Sequence, residues 1–242
     1  MVSMSGRPLL DVRDLSVDLA GRRLLSGISF HLESRMILGL CGNSGSGKTT
    51  LALALSKLLP SPPYKVHGEV WFAGHDLCKM RECELEVLRG ARIACIFQDP
   101  LLSLNPVLRV RTQIKEALSA HNLRRDPGEL LALAGLDCPD RILGAYPHQL
   151  SGGERQRVTI AQALACDPPL IIADEPFTAL DAPRVVELAG LFRDLRDRLN
   201  TSFLLISHSP GVLAITADEV VRVHEGQIVD RGAPREILRH VR

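Results

Sequence analysis

Two stretches of this sequence combine residue types and spacing suited to phosphate chemistry. Gly42, Asn43, Ser44, Gly45, Ser46, Gly47, Lys48 and Thr49 fit G-x-x-x-x-G-K-[ST], between an apolar run from Met36 to Cys41 and a helical pattern from Thr49 to Leu58. In such a loop the backbone N–H groups converge on phosphate oxygens, the following helix dipole adds positive field, and glycine lets the backbone approach closely. Lys48 reaches the β- and γ-phosphates as a point charge. Thr49 offers its hydroxyl to Mg²⁺, which prefers hard oxygen ligands, and Thr50 is counted with the same cradle. The second stretch, Leu170 to Ala173 followed by Asp174 and Glu175, reads as an apolar strand ending in two acids where ligands gather in open α/β sheets. Asp174 is assigned to Mg²⁺ through water, and Glu175 to orienting or deprotonating the attacking water. Either stretch alone could be ordinary structure, a glycine-rich turn or acids beside a helix start. Together they indicate only a nucleoside-triphosphate hydrolase with Mg²⁺ at the phosphates, a class that is very broad.

A third stretch lies between them. Ser151, Gly152 and Gly153 precede a helical run to Cys166, which makes a second anion-binding helix N-terminus in one chain. One nucleotide does not need two cradles from the same subunit. The economical reading is that this one faces the γ-phosphate held by another subunit; in isolation it could equally be an ordinary capped helix.

The elements around these residues read as an α/β fold. Leu10, Val12, Leu15, Val17 and Leu19 are taken as one face of an alternating strand, and Leu24 to Leu32 as a second after the turn at Gly21, giving an N-terminal antiparallel β layer. Met36 to Cys41 looks like a strand buried on both faces of a parallel sheet. Further strands are expected at Glu69 to Ala73, Ile93 to Phe97, Leu170 to Ala173 and Phe203 to Ile206, separated by helical patterns, which argues for a mainly parallel core. A strand-poor stretch of about 99–165 is expected as an inserted α-helical subdomain within a single domain, 1–242. Val185, Leu188, Phe192, Leu195 and Leu199 recur every three or four residues, as on an amphipathic helix packed against the sheet.

Composition bounds the partners. With 29 basic against 28 acidic residues in 242, the net charge of +1 supplies no footprint for nucleic acid, so no nucleic-acid partner is expected. The start carries no secretory signal, and no run of about 18 apolar residues appears, so any membrane role must come through a partner. Six scattered cysteines have neither C-x-x-C pairs nor zinc-spaced histidines and read as reduced, small apolar residues.

Leu150 to Arg157, L-S-G-G-E-R-Q-R, closely resembles the signature sequence of ABC ATPases, and the resemblance runs from about Leu9 to Leu238. It implies a P-loop NTPase core of ABC ATPase type and a peripheral position on the cytoplasmic face of the inner membrane. It also implies a set of further roles. Gln98 resembles the glutamine that touches Mg²⁺ and the lytic water, and His208 the switch histidine on the γ-phosphate. Ala179, Leu180 and Asp181 resemble the loop that crosses a dimer interface, and Leu19 takes the place of the aromatic residue that stacks on adenine. Ser209 and Pro210 stand where the family often carries an acid after the histidine, and Ser34 and Arg35 replace its usual Gly-Glu. The other seven histidines are left as surface or packing residues.

Phe97 to Pro106, Tyr146 to Leu150 and Leu59 to Pro63 are similar to the oligopeptide, dipeptide and nickel uptake branch. That branch implies a second, paralogous ATPase subunit in a heterodimer, two transmembrane permease subunits and an extracytoplasmic solute-binding protein. The stop at Arg242 and the absence of a His-Pro-Tyr extension lean toward the nickel or metallophore type. Rival readings are a DNA-repair or translation ATPase, or a structural partner without hydrolysis. The single phosphate loop, the lack of heptad arms and the complete set of Lys48, Asp174, Glu175 and His208 argue against them.

Overall fold

The computed structural model describes residues 7–99, 103–178 and 180–240. Ala179, Pro100, Leu101, Leu102, the first six residues and the last two lie outside the described residues, as does the His240 side chain.

Strand β1 (Leu10–Leu19) pairs antiparallel with β2 (Arg22–Leu32) across a tight turn, with Leu19 opposite Arg22. Its apolar residues do not share one parity: Leu10 and Val12 fall on even numbers, Leu15 and Val17 on odd. A β-bulge reconciles the two sets. The register shifts between Val12 and Leu15, Asp14 has φ 49°, and its N–H donates to Ser29 Oγ at 2.9 Å, so all four apolar side chains turn inward. Strand β4 (Tyr64–Phe72) joins the other side of β1, and the short β5 (His75–Asp76) completes an antiparallel sheet of order β2-β1-β4-β5. The strand expected around Glu69 thus belongs to this outer layer and is longer than expected.

The second sheet has the order β10-β9-β3-β8-β7-β6, formed by β3 (Ile37–Cys41), β6 (Ile93–Ile96), β7 (Leu170–Asp174), β8 (Ser202–Ile206), β9 (Glu219–His224) and β10 (Gln227–Gly232). Neighbours are parallel except the β9–β10 hairpin. Every residue of β3, β7 and β8 is buried, which is why these strands read as unbroken apolar runs. The hairpin has no counterpart among the strands expected from the sequence. Arg35 donates its N–H to Ser202 Oγ at 2.8 Å and so ties the turn before β3 to β8.

Helix α1 (Lys48–Leu55) buries Leu51, Ala52 and Leu55 in a core shared by both sheets. After α2 (Glu82–Leu88), the strand-poor region holds α3 (Val110–Ala120), α4 (Pro127–Leu133), α5 (Pro139–Gly144) and α6 (Gly152–Ala163). Helix α7 (Ala182–Leu199) turns Leu188, Phe192 and Leu195 inward as the spacing indicated. Phe192 stacks on Phe203 of β8 at 5.0 Å and meets Phe177 edge-on at 5.7 Å. Helices α8 (Pro210–Thr216) and α9 (Pro234–Ile237) close the chain. All six cysteines are free, and burial pushes the thiols of Cys41, Cys78 and Cys166 up and that of Cys95 to about 11, which keeps them protonated and apolar.

Phe192 is fully buried between two other aromatic rings, so truncation leaves a cavity on both sides. Phe192→Ala is expected to cost about 3–5 kcal/mol of unfolding free energy, measured by chemical denaturation.

Candidate functional site

Strand β3 delivers the chain into the loop at residues 42–47, and α1 leaves it at Lys48. Gly42 lies so close to the neighbouring strand that a side chain there would collide with the Val223 carbonyl. Lys48 is nearly buried and folds back over the loop, its Nζ donating to the carbonyls of Gly42 at 2.8 Å and Asn43 at 2.9 Å. Burial lowers the pKa of its ammonium, and the charges of Glu175 and Asp174 oppose that shift. A cation held with two loop carbonyls, beside acids that favour its charge, is a ready counter-ion for phosphate.

Strand β7 brings Asp174 to the same place, in register with Ile206 of β8. Burial raises the pKa of the Asp174 carboxyl, a hydrogen bond from the Thr49 side chain opposes this, and Oδ1 is buried without a hydrogen-bond partner. A buried carboxylate with one oxygen unsatisfied, beside a threonine hydroxyl, is an oxygen donor set of the kind a divalent cation takes. Among the described residues no cluster of three or more His, Cys, Asp or Glu could hold a metal unaided, so the set fits an ion sharing its coordination with phosphate and water.

Glu175 leaves the strand with φ 51°, a left-handed conformation that an L-residue adopts at a cost, and its N–H donates to the Ile206 carbonyl at 3.0 Å. This turn aims the carboxylate at His208. Oε1 accepts the His208 backbone N–H at 2.8 Å, and Oε2 lies 2.8 Å from Nδ1. When Nδ1 carries the proton, the bond fixes the tautomer and leaves Nε2 for another partner. The Glu175 side chain is 11% exposed and that of His208 64%, so the acid is sheltered and the imidazole faces outward.

These groups line one cleft of about 480 Å³. Its walls include Ser44, Gly45, Gly47, Lys48, Thr49, Thr50, Gln98, Asp174, Glu175 and His208. Asn43 and Ser46 complete the loop: the Ser46 N–H donates to the Asn43 carbonyl at 3.1 Å. Leu19 is not on these walls. It lies at the end of β1, half-buried and paired with Arg22 and Tyr64. The apolar wall comes instead from Leu24, which is not among the expected site residues. The signal was there: Leu24 and Leu25 are adjacent in a strand, so one must face away from the core, and Leu25 is the buried one.

Ser151, Gly152, Gly153 and Asp181 are elsewhere. Ser151 caps α6: its Oγ accepts from the Glu154 N–H at 3.2 Å, and its own N–H donates to Glu154 Oε2 at 2.8 Å. That N–H, with Arg141, holds the Glu154 carboxyl below its usual range. Gly152 opens the helix, and Gly153 lines a second cleft of about 340 Å³ with Ser151, Leu180, Arg184 and Gln156. Asp181 caps α7 by accepting from the Arg184 N–H at 3.1 Å. The two clefts share no lining residue.

Residues 25–178 match the family model described as ABC transporter. The chain is 42% identical over 241 residues to the oligopeptide transport ATP-binding protein OppD of Bacillus subtilis, covering 95% of this chain and 67% of the relative. A probable peptide ABC transporter ATP-binding protein of Sinorhizobium fredii is 43% identical, covering 95% and 72%. Among solved structures, cbiO1 of Clostridium perfringens superposes with a TM-score of 0.81 at 24% identity, covering 97% of this chain and 92% of that one. A dimeric ATP-binding cassette in a post-hydrolysis state with ADP and Pi superposes with a TM-score of 0.80 at 24% identity, covering 93% and 99%. These two show the fold.

Asp174 gives a test that needs no ligand. Its folded pKa lies above the ordinary value of 3.8, so between the two the folded chain keeps a proton the unfolded chain releases, and stability falls as pH rises through that window. Asp174→Asn removes the loss. The variant is expected to melt above wild type at neutral pH in nucleotide-free buffer, with the gap closing as pH drops toward the ordinary carboxylate range. A melting difference independent of pH would contradict the buried-charge assignment.

Proposed function

Because this chain belongs to the ABC transporter family as an ATP-binding and ATP-hydrolysing subunit, we propose that it pairs with a second ATPase subunit to power peptide uptake through transmembrane permeases. The carrying observation is the separation of the two cradles. The phosphate loop cleft holds Lys48, Thr49, Asp174 and Glu175, while Ser151 and Gly153 line a different cleft. A complete site therefore takes the loop of one chain and the signature segment of another.

In that site the phosphate loop and Lys48 bind the β- and γ-phosphates, and Glu175 orients the attacking water and accepts its proton as the γ-phosphoryl group leaves ADP. His208 holds Glu175 through Nδ1 and turns Nε2 toward the γ-phosphate. Thr49, Asp174 and Gln98 would hold Mg²⁺, which when bound neutralises charge on the phosphate oxygens. The facing Ser151 and the amides of Gly152 and Gly153 add donors for the developing charge. Leu180, which Asp181 follows in the chain, lines that second cleft, in keeping with a place at the subunit interface.

Peptide is the favoured solute because the relatives named above are peptide transport proteins, and this sets aside the lean toward nickel. A paralogous second ATPase, an extracytoplasmic solute-binding protein and a peripheral place on the inner membrane's cytoplasmic face complete the reading. Among the described residues no helix is long and apolar enough to cross a membrane, which is consistent with attachment through permeases.

Glu175→Gln keeps the shape and removes the base, so ATP binding is expected to persist while hydrolysis falls by about 10² or more. Near-normal turnover in the purified complex would sink the assignment. Ser151→Arg separates the cradles: titration of the isolated chain is expected to show unchanged ATP affinity, while the assembled transporter loses activity at the site the partner's loop supplies. Lys48→Ala should weaken nucleotide binding in both. If Ser151→Arg damaged ATP binding in the isolated chain as severely as Lys48→Ala, the two cradles would share one nucleotide and the facing arrangement would be wrong.

A further inference from the structure

The turn that joins β9 to β10 reaches the phosphate loop. Its two residues, Glu225 and Gly226, have φ of 46° and 75°, and positive values at both positions are what a two-residue type I′ hairpin turn requires. Gly226 is bonded in two directions. Its N–H donates to the Ser46 carbonyl of the loop at 3.1 Å, and its carbonyl accepts the Ser26 N–H of β2 at 2.8 Å. A side chain on Gly226 would collide with the Leu24 carbonyl, two residues before Ser26. Leu24 supplies the apolar wall of the nucleotide cleft. Hairpin turn, β2 and phosphate loop are thus stacked with no room for a methyl group.

The contact has a physical purpose. A loop that turns its N–H groups toward an anion must leave its carbonyls facing away, and each buried carbonyl needs a donor. The Gly42 and Asn43 carbonyls take theirs from Lys48, a residue of the loop motif itself. The Ser46 carbonyl takes its donor from Gly226, 180 positions along the chain and independent of where Lys48 points.

We propose that the Glu225–Gly226 turn is a positioning element of the nucleotide site: Gly226 fixes the Ser46 carbonyl, and with it the curvature of the phosphate loop, and sets the height of the Leu24 wall. It acts through Ser46 and Leu24 and touches no phosphate. The proposal rests on the assignment of the phosphate loop to ATP.

Two substitutions separate its parts. Gly226→Ala brings both backbone strain and the collision with Leu24, whereas Gly226→Asn tolerates the positive φ and keeps the collision. Both variants are expected to raise the ATP Kd of the isolated chain about tenfold, the effect of losing one well-placed hydrogen bond. In the assembled transporter KM should rise by a similar factor with kcat changed far less. Lys48→Ala is the control. Wild-type ATP affinity in both Gly226 variants, beside a weakened Lys48→Ala, would overturn the role of the turn and leave the site standing. Unchanged affinity in Lys48→Ala would remove the site assignment and the proposal with it. Should the variants not fold, amide exchange on the wild-type chain decides. ATP is expected to slow exchange at the Gly226 N–H together with the loop amides, and slowing confined to the loop would overturn the proposal.

Discussion

A loop that aims several N–H groups at one anion has to send its carbonyls somewhere, and the structure around residues 42–47 is organised by that requirement. Lys48 takes two of them, the Asn43 carbonyl also receives the Ser46 N–H, and Gly226 takes the fourth bond at Ser46. For these bonds to form, β3 must enter the loop from a fully buried position, β9 must lie against Gly42, and β2 must run close enough to carry Leu24 to the edge of the cleft. The two sheets are held to this geometry by α1, which starts at the loop and buries its apolar face between them. The helix that supplies the positive dipole end is therefore also the element that fixes the layers.

Charge at the site is arranged with the same economy. Lys48 and Asp174 are both pushed toward neutrality by burial, and each is drawn back by the other's charge. Placing both ions in one cleft lessens the cost that either would carry alone, although the Asp174 oxygen without a partner shows that the compensation is incomplete. Glu175 is treated differently. A strained backbone and two bonds from one histidine hold it, so its position depends on β7 and β8 staying in register through Asp174 and Ile206. The Glu175 carboxylate is thus anchored to fully buried strands.

The chemistry was more legible in the sequence than the layers that hold it. Lys48, Thr49, Asp174 and Glu175, expected from motif and context, and Gln98 and His208, implied by the family resemblance, meet in one cleft, because their placement depends on short strand-to-loop junctions that local pattern encodes. The inserted helical stretch and the buried face of α7 were also readable, since period and strand-forming composition are local properties. What escaped reading depends on contacts distant in sequence. The change of parity between Val12 and Leu15 is visible in the letters, but a bulge is an outcome of pairing with β2 and β4. Strand β4 resembles any half-apolar strand, and its membership of the outer sheet follows from its partner, β1. The β9–β10 hairpin carried a turn signal at Glu225 and Gly226 that is weaker than Asn-Gly, and nothing nearby hinted that the turn would touch a loop so far upstream.

Where the sequence departs from the family pattern after His208, the structure shows how the change is absorbed. Ser209 donates its N–H to Ser207 Oγ at 3.1 Å, and Pro210 takes the first position of α8, where its missing N–H costs no helical bond and its fixed φ suits the turn. The pair therefore ends the chain's excursion past the histidine and starts the next helix without any acid. The histidine itself is held from the other side, by Glu175 through both its backbone N–H and Nδ1. Two bonds from one carboxylate constrain the backbone and the ring together, so the orientation of His208 follows from the β7 strand end and not from the residue that succeeds it in sequence. An acid at position 209 would add negative charge next to His208, whose cleft already holds Asp174 and Glu175. With serine there, the positive field at the cleft comes from Lys48, the loop amides and the start of α1, without an added acid to oppose it.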